Sequence, residues 1–151
     1  MREILFRGKR IDINEWIEGY YAVSPTDSKS YIYAKDYTEV DIAEDGLHVA
    51  YRLIQVFPAT VGQYTGLTDK NGTRVFEGDI LKIINKYQSP FDDDTNEYTD
   101  ITTDVVHFDD EGLCFSYGKS PFLCVADNVT AEYEVVGNIY DDNLEELANG
   151  R

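Results

Sequence analysis

The chain has 151 residues, 42% hydrophobic and 13% aromatic, with 29 acidic side chains against 13 basic ones and a formal net charge of −16 at pH 7. That length can bury a real core, as one domain or as two small packed subdomains. The charge repels phosphate backbones and argues against direct nucleic-acid binding; it leaves solubility, contact with a basic partner, or mimicry of nucleic acid as its uses.

The opening MREILFRGKR has no apolar segment of signal-peptide length, and no transmembrane run follows, so a cytoplasmic protein without membrane contact is expected. Cys114 and Cys124 are then reduced thiols. With two histidines and no C-x-x-C spacing, they do not point to zinc. Twelve tyrosines alongside many Val, Ile and Thr favour strands over helices.

In chain order, Ile4 to Lys9 reads as a strand, Asp12-Ile13-Asn14 as a turn, and Trp16 to Val23 as the returning strand. Such a hairpin is marginal alone and must pack on something else. Ser24 to Ser30 is a polar loop, and Tyr31 to Tyr33 a short strand. From Lys35 to Ala50 the pattern weakens, predicting a loop with one helical turn. Tyr51 to Phe57 is strand-like and stops at Pro58, which cannot donate to a ladder. The expected division is an N-terminal β subdomain over 1–57 and a barrel-like β subdomain over 58–151.

The stretch Val61 to Ile84 organises the second part. Asn71-Gly72 is a hairpin signal, because both residues tolerate positive φ. Gly78-Asp79 is a second corner, and Ile80 to Ile84 is a β-rich apolar run. The spacing of a phosphate-binding loop is absent. Asn85 to Asp104 is polar and acidic, either a mobile loop or an extended hairpin arm. Val105 to Phe108 and Leu113 to Tyr117 form a hairpin across Asp109 to Gly112. Phe122 to Ala126 is short and apolar, and Glu132 to Tyr140 is the last strand. Asp141 can cap a short terminal helix through Leu144, Glu145 and Leu147, with Gly150 beyond it.

Three blocks carry a resemblance. They are Phe6-Arg7-Gly8-Lys9 with Glu15 to Tyr20, the run Thr60 to Ile80, and Tyr133 to Asp141. In this order they resemble the YopX-like proteins of phages and prophages in Gram-positive bacteria. The resemblance implies a mainly-β fold with barrel-like parts and a phage origin; it supplies no catalytic residues.

Two constellations invite chemistry. Asp92, Asp94 and Asn96 occupy the first, third and fifth positions of an EF-hand loop, but Glu97 stands where glycine must bend and Thr103 where a bidentate glutamate is required. A solvated charge run in a proteolysis-prone segment is the better account. In the late hairpin, a four-residue loop makes His107 face Cys114 across the ladder, with Ser116 on the same face and Val106, Phe108, Leu113 and Phe115 on the other. No third orienting group or oxyanion donor accompanies the pair. Trp16 and the tyrosine-rich N-terminal strands fit a binding platform, a barrel core or a subunit contact.

The sequence therefore predicts a mainly-β protein of two small barrel-like subdomains with a short C-terminal helix. It is expected to be non-enzymatic and to act by protein–protein interaction, with a host or phage partner and as a homo-oligomer. No catalytic, cofactor or metal residues are assigned. The alternative is an acidic nucleic-acid mimic that inhibits a host DNA-binding protein, and an enzyme comes third.

Overall fold

A computed structural model describes residues 3–88, 97–111, 114–117, 120–121 and 130–141. Eleven strands and one 3-10 turn at Pro58–Thr60 make up the described residues, and no α-helix occurs among them. The strands pair antiparallel wherever their register is described. The expected terminal helix at Leu144 to Leu147 lies outside the described residues, as do Cys124, the Phe122 to Ala126 run, and Asp92, Asp93, Asp94 and Asn96. The chain divides into two compact units, with the boundary along the chain between Tyr64 and Thr65.

The first unit holds β1 (Phe6–Lys9), β2 (Trp16–Val23), β3 (Ser30–Ala43) and β4 (Gly46–Val56) in the order β4-β3-β2-β1. The start of β5 (Gly62–Thr68) lies against β1, through Phe6 opposite Gln63 and Arg7 opposite Gly62. Beyond β1, Arg10 bridges Val56, the Phe57 N–H donates to the Lys9 carbonyl at 2.9 Å, and the Ile11 N–H donates to the Gln55 carbonyl at 3.2 Å. These bonds bring the end of β1 back to the end of β4, so the four strands curl into a small barrel. Strand alternation decides what fills it. Ile32 and Ala34 of β3 and Ile54 and Val56 of β4 form its core, with Phe6, Ile17 and Val61 packed around them. Gly19 is buried in β2, where a Cβ would collide with the Tyr33 carbonyl oxygen.

Lys35 to Ala50 is not a loop with a helical turn. β3 and β4 run on as a long hairpin, paired from Ser30–Val56 to Ala43–Gly46 and joined by Glu44-Asp45. The register slips between Lys35 and Val40. The slip follows Asp36, whose buried carboxylate accepts from Arg10 Nη1 at 3.0 Å. Arg10 also holds Asp12 through two bonds, Nε to Oδ1 at 2.9 Å and Nη2 to Oδ2 at 2.7 Å. The hydrogen bonds from Arg10 hold the Asp12 carboxyl below its ordinary range against the opposing effect of burial.

The second unit begins with the rest of β5 and with β6 (Arg74–Phe76). It continues through a five-stranded sheet in the order β10-β9-β8-β7-β11. Those strands are β7 (Asp79–Gln88), β8 (Glu97–Asp109), β9 (Cys114–Tyr117), β10 (Ser120–Pro121) and β11 (Thr130–Asn138). Val75, Leu81, Ile83, Val106 and Phe115 form its core, with Leu67, Tyr117, Tyr133 and Val135 packed on them. Of the acidic segment Asn85 to Asp104, both flanks are strand: Asn85 pairs with Asp100 and Gln88 with Glu97. The extended-arm alternative therefore holds for its described residues, and the loop alternative over 85–104 is corrected to that extent. The physical reason is that polar residues suit a strand whose face meets water.

Gly72 sits at φ +82°, as expected of the turn, whereas Asn71 is not at positive φ. The Gly72 N–H donates to the Asp69 carbonyl at 3.0 Å, so a single left-handed residue ends this turn.

Candidate interaction surface

Residue alternation in β2 turns Trp16, Glu18 and Tyr20 to the side opposite the buried Gly19 and the half-buried Ile17. In β3 the same alternation presents Tyr33 and Lys35, because Ile32 and Ala34 face inward. In β4 it presents Tyr51 and Leu53. Register then joins them: Tyr20 stands opposite Tyr33, Tyr33 opposite Leu53, and Lys35 opposite Tyr51. Tyr20 is 63% exposed, Leu53 59%, Tyr51 56% and Tyr33 44%. The Tyr33 and Tyr51 rings stack with centroids 5.7 Å apart, and the Lys35 ammonium lies 5.6 Å from the Tyr51 ring centre.

Next to this cluster Trp16 is held by two cations. The Arg7 guanidinium is 4.5 Å and the Lys9 ammonium 5.4 Å from its ring centre. A cation over a ring face fixes the indole's orientation. An open depression of about 470 Å³ lies here, with Trp16, Glu18, Tyr20, Tyr33, Lys35 and Tyr51 among its walls. The residues that sequence placed in a tyrosine-rich platform thus occur together, on a sheet face. Sequence alone does not attach Tyr51 and Leu53 to it, because only long-range register brings β4 beside β3.

The late hairpin is one pair out of the expected register. His107 faces Ser116, Phe108 faces Phe115, and Asp109 faces Cys114. The His107–Cys114 dyad is therefore corrected. His107 is exposed, with Nδ1 3.4 Å from the Val105 carbonyl. Cys114 is a free thiol whose Sγ lies 3.9 Å from Ser116 Oγ. The ladder is shifted by one pair because Asp109 joins it opposite Cys114, which moves the loop to the residues between them. The apolar face survives the slip: Val106 and Phe115 are buried, and Phe108 meets Phe115 edge-on at 5.3 Å. Thr103, the would-be last ligand of a calcium loop, is paired with Lys82 inside the β7–β8 ladder. Among the described residues, no three His, Cys, Asp or Glu side chains are grouped to hold a metal.

Sequence did not single out Asp69, although it ties the second unit together. Its Oδ1 accepts from the Asn71 N–H at 2.8 Å and the Thr73 N–H at 2.9 Å, and its Oδ2 from the Val135 N–H at 3.0 Å. Burial opposes ionisation here, but the bonds from Val135, Thr73 and Asn71 outweigh it and leave the carboxyl below its ordinary range. At the other corner Asp79, fully buried, accepts from the Phe76 N–H at 2.8 Å and from Asn138 Nδ2 at 3.3 Å.

A family model described as YopX protein matches residues 5–145. The chain belongs to the YopX family. Its three YopX-like blocks fall on β1 with β2, on the β5–β6–β7 corners, and on β11, where Gly19, Asp69, Gly72 and Asp79 set turns and close packing. Protein EF1440 from Enterococcus faecalis, known from a crystal structure, is similar over 97% of this chain and 99% of its own, at 19% identity and a TM-score of 0.48. None of the curated proteins compared matches the chain. Among the described residues of this YopX-family protein, no helix is long and apolar enough to cross a membrane.

Proposed function

We propose that this YopX-family protein acts by binding other proteins rather than by catalysis, in the phage or prophage setting that its resemblance implies. The observation that supports this is the exposed row Tyr20–Tyr33–Leu53, with Tyr51 beside it, across three strands of one sheet. Contiguous aromatic surface of this kind marks contact sites, where tyrosine and tryptophan contribute large area at small entropic cost. The test is capture from a host lysate on immobilised protein, run in parallel with a Tyr20→Ser/Tyr33→Ser/Leu53→Ser variant of unchanged melting temperature. Proteins retained by the parent and lost by the variant are the expected result; identical profiles would sink the reading.

Self-association belongs to the same proposal. Among the described residues β4 is the end strand of its sheet, bridged at Val56 by Arg10, and a second copy pairing along its outer edge would satisfy it.

A second reading draws on the charge distribution. Residues 65–144 hold 17 acidic side chains against 5 basic ones, whereas residues 1–64 hold 10 against 7. An excess concentrated in one unit suits an acidic mimic of nucleic acid. Competition between this protein and labelled duplex DNA for a basic host protein tests it. Displacement that weakens steeply with added salt is expected, and its absence at low salt excludes mimicry.

A further inference from the structure

A second cavity of the first unit, about 790 Å³ in volume, shares no residue with the aromatic depression. Its position follows from the register that sets Ser30 opposite Val56 at the first pair of the β3–β4 ladder. On one side stands the turn from β2 to β3. The Ser24 N–H holds it shut on the Lys29 carbonyl and the Ser28 N–H on the Ser24 carbonyl, each at 2.9 Å. On the other side the chain leaves β4 through Phe57 and Pro58, and Ile11 is fixed beside them because its N–H donates to the Gln55 carbonyl. Ile11, Val56, Phe57, Pro58 and Ala59 make most of the lining apolar. Cavities of this size, apolar with a few placed polar groups, are where small molecules bind.

We propose that this cavity binds an uncharged planar heterocycle with an amide-type edge, the chemistry shared by nucleoside bases and by carboxamides such as nicotinamide. Charge narrows the ligand first. The charged residues of the lining are Asp27 and Lys29, and they neutralise each other, with Nζ 3.3 Å from Oδ2. Asp27 Oδ1 also accepts from the Lys29 N–H at 3.2 Å. A phosphate therefore finds no spare cation here, and the chain's net charge of −16 opposes its approach. The polar groups narrow it further. The Gln55 carboxamide makes no hydrogen bond among the described residues. A carboxamide sets a donor beside an acceptor, and its complement is an edge carrying the same pair, as adenine does at N6 and N7. Phe57 and Pro58 supply ring surface for the body of such a molecule. Ser28 adds a hydroxyl that likewise makes no hydrogen bond among the described residues. It sits at φ +57°, where glycine is at ease and serine is strained, so the side chain has a use that outweighs its backbone cost.

Calorimetry and amide-resolved NMR on the full chain test this with adenosine, nicotinamide, AMP and indole as probes. Adenosine or nicotinamide should bind saturably with a Kd below roughly 1 mM, and the tighter of the two names the source of the edge. Amide shifts should centre on residues 27–30 and 55–59. Indole lacks the acceptor beside its donor and should bind about tenfold more weakly; AMP should bind more weakly than adenosine. Gln55→Leu should weaken binding roughly tenfold and Ser28→Gly roughly fivefold. Ser28→Gly should melt no lower than the parent, because glycine suits that backbone, so it separates binding from stability. Tyr33→Ser, on the aromatic face, should bind the heterocycle as the parent does, so this proposal and the protein-contact reading fail separately. The proposal is overturned if neither heterocycle saturates below that limit, if indole or AMP binds as tightly, if the shifts centre elsewhere, or if both cavity variants bind like the parent.

Discussion

Asp69 supplies one buried carboxylate to three backbone N–H groups, two in its own turn and one in β11. Replacement by alanine leaves those donors without their acceptor, at a cost of roughly 3 kcal/mol. The pH dependence has a definite sign. A carboxyl whose folded pKa lies below its unfolded value contributes stability above the unfolded value, near pH 3.9, and loses it as pH falls through the folded one. The gap in melting temperature between the parent and Asp69→Asn is therefore expected to be widest near neutral pH. It should narrow as the pH drops below about 4; a gap independent of pH from about 3 to 7 contradicts the assignment. Two glycines give a graded contrast at the same scale. Gly72→Val meets no neighbour within 4 Å and incurs only backbone strain, about 1–2 kcal/mol, because Gly72 is at φ +82°. Gly19→Ala drives a Cβ into the Tyr33 carbonyl and toward Ile32 and Ala34, so thermal melts should show it as the more damaging of the two.

Among the elements, β2 matches its expected span of Trp16 to Val23 because its bounds are turn residues and its inward positions are distinct. The β3–β4 hairpin was hidden for a physical reason. Lys35, Asp36, Thr38, Glu39, Asp41, Glu44 and Asp45 supply polar residues at both parities, so no period-2 signal survives. Asp36 is polar and inward because Arg10, distant in sequence, is its partner. In the late hairpin, alternation was legible and register was not. A slip of one pair keeps every side chain on the same face, so the buried positions of Val106 and Phe115 emerge correctly while His107 and Cys114 separate. The aromatic surface was half legible: Trp16 and Tyr20 belong to one strand, whereas Tyr51 joins through β3. A crosslink checks the register. In a Cys124→Ser background, Asp109→Cys should oxidise readily onto Cys114 directly opposite, and His107→Cys should lag well behind. Faster closure from position 107 would restore the sequence-based register.

At the scale of the whole molecule, the uneven charge decides where self-association can occur. Two copies that meet through residues 65–144 would bring together surfaces of 17 acidic against 5 basic side chains. Residues 1–64 are closer to neutral, and among the described residues β4 there is the end strand of its sheet. Antiparallel pairing of β4 with its copy about a two-fold axis would satisfy the outer edge on both chains at once. Repulsion between the acidic units acts over longer range and is screened over roughly 8 Å at physiological ionic strength. The dimer should therefore tighten as salt rises from about 20 to 150 mM, the reverse of an assembly held by opposite charges. Ala50→Pro isolates the edge, because Ala50 lies at the break in the β3–β4 register, between the Lys35–Tyr51 and Val40–Val49 pairs. Loss of its N–H spares those paired residues while interrupting the outer edge. Sedimentation at micromolar concentration should show twice 17.2 kDa for the parent and 17.2 kDa for Ala50→Pro. A parent that sediments as a monomer at both salt concentrations would rule out the β4 seam.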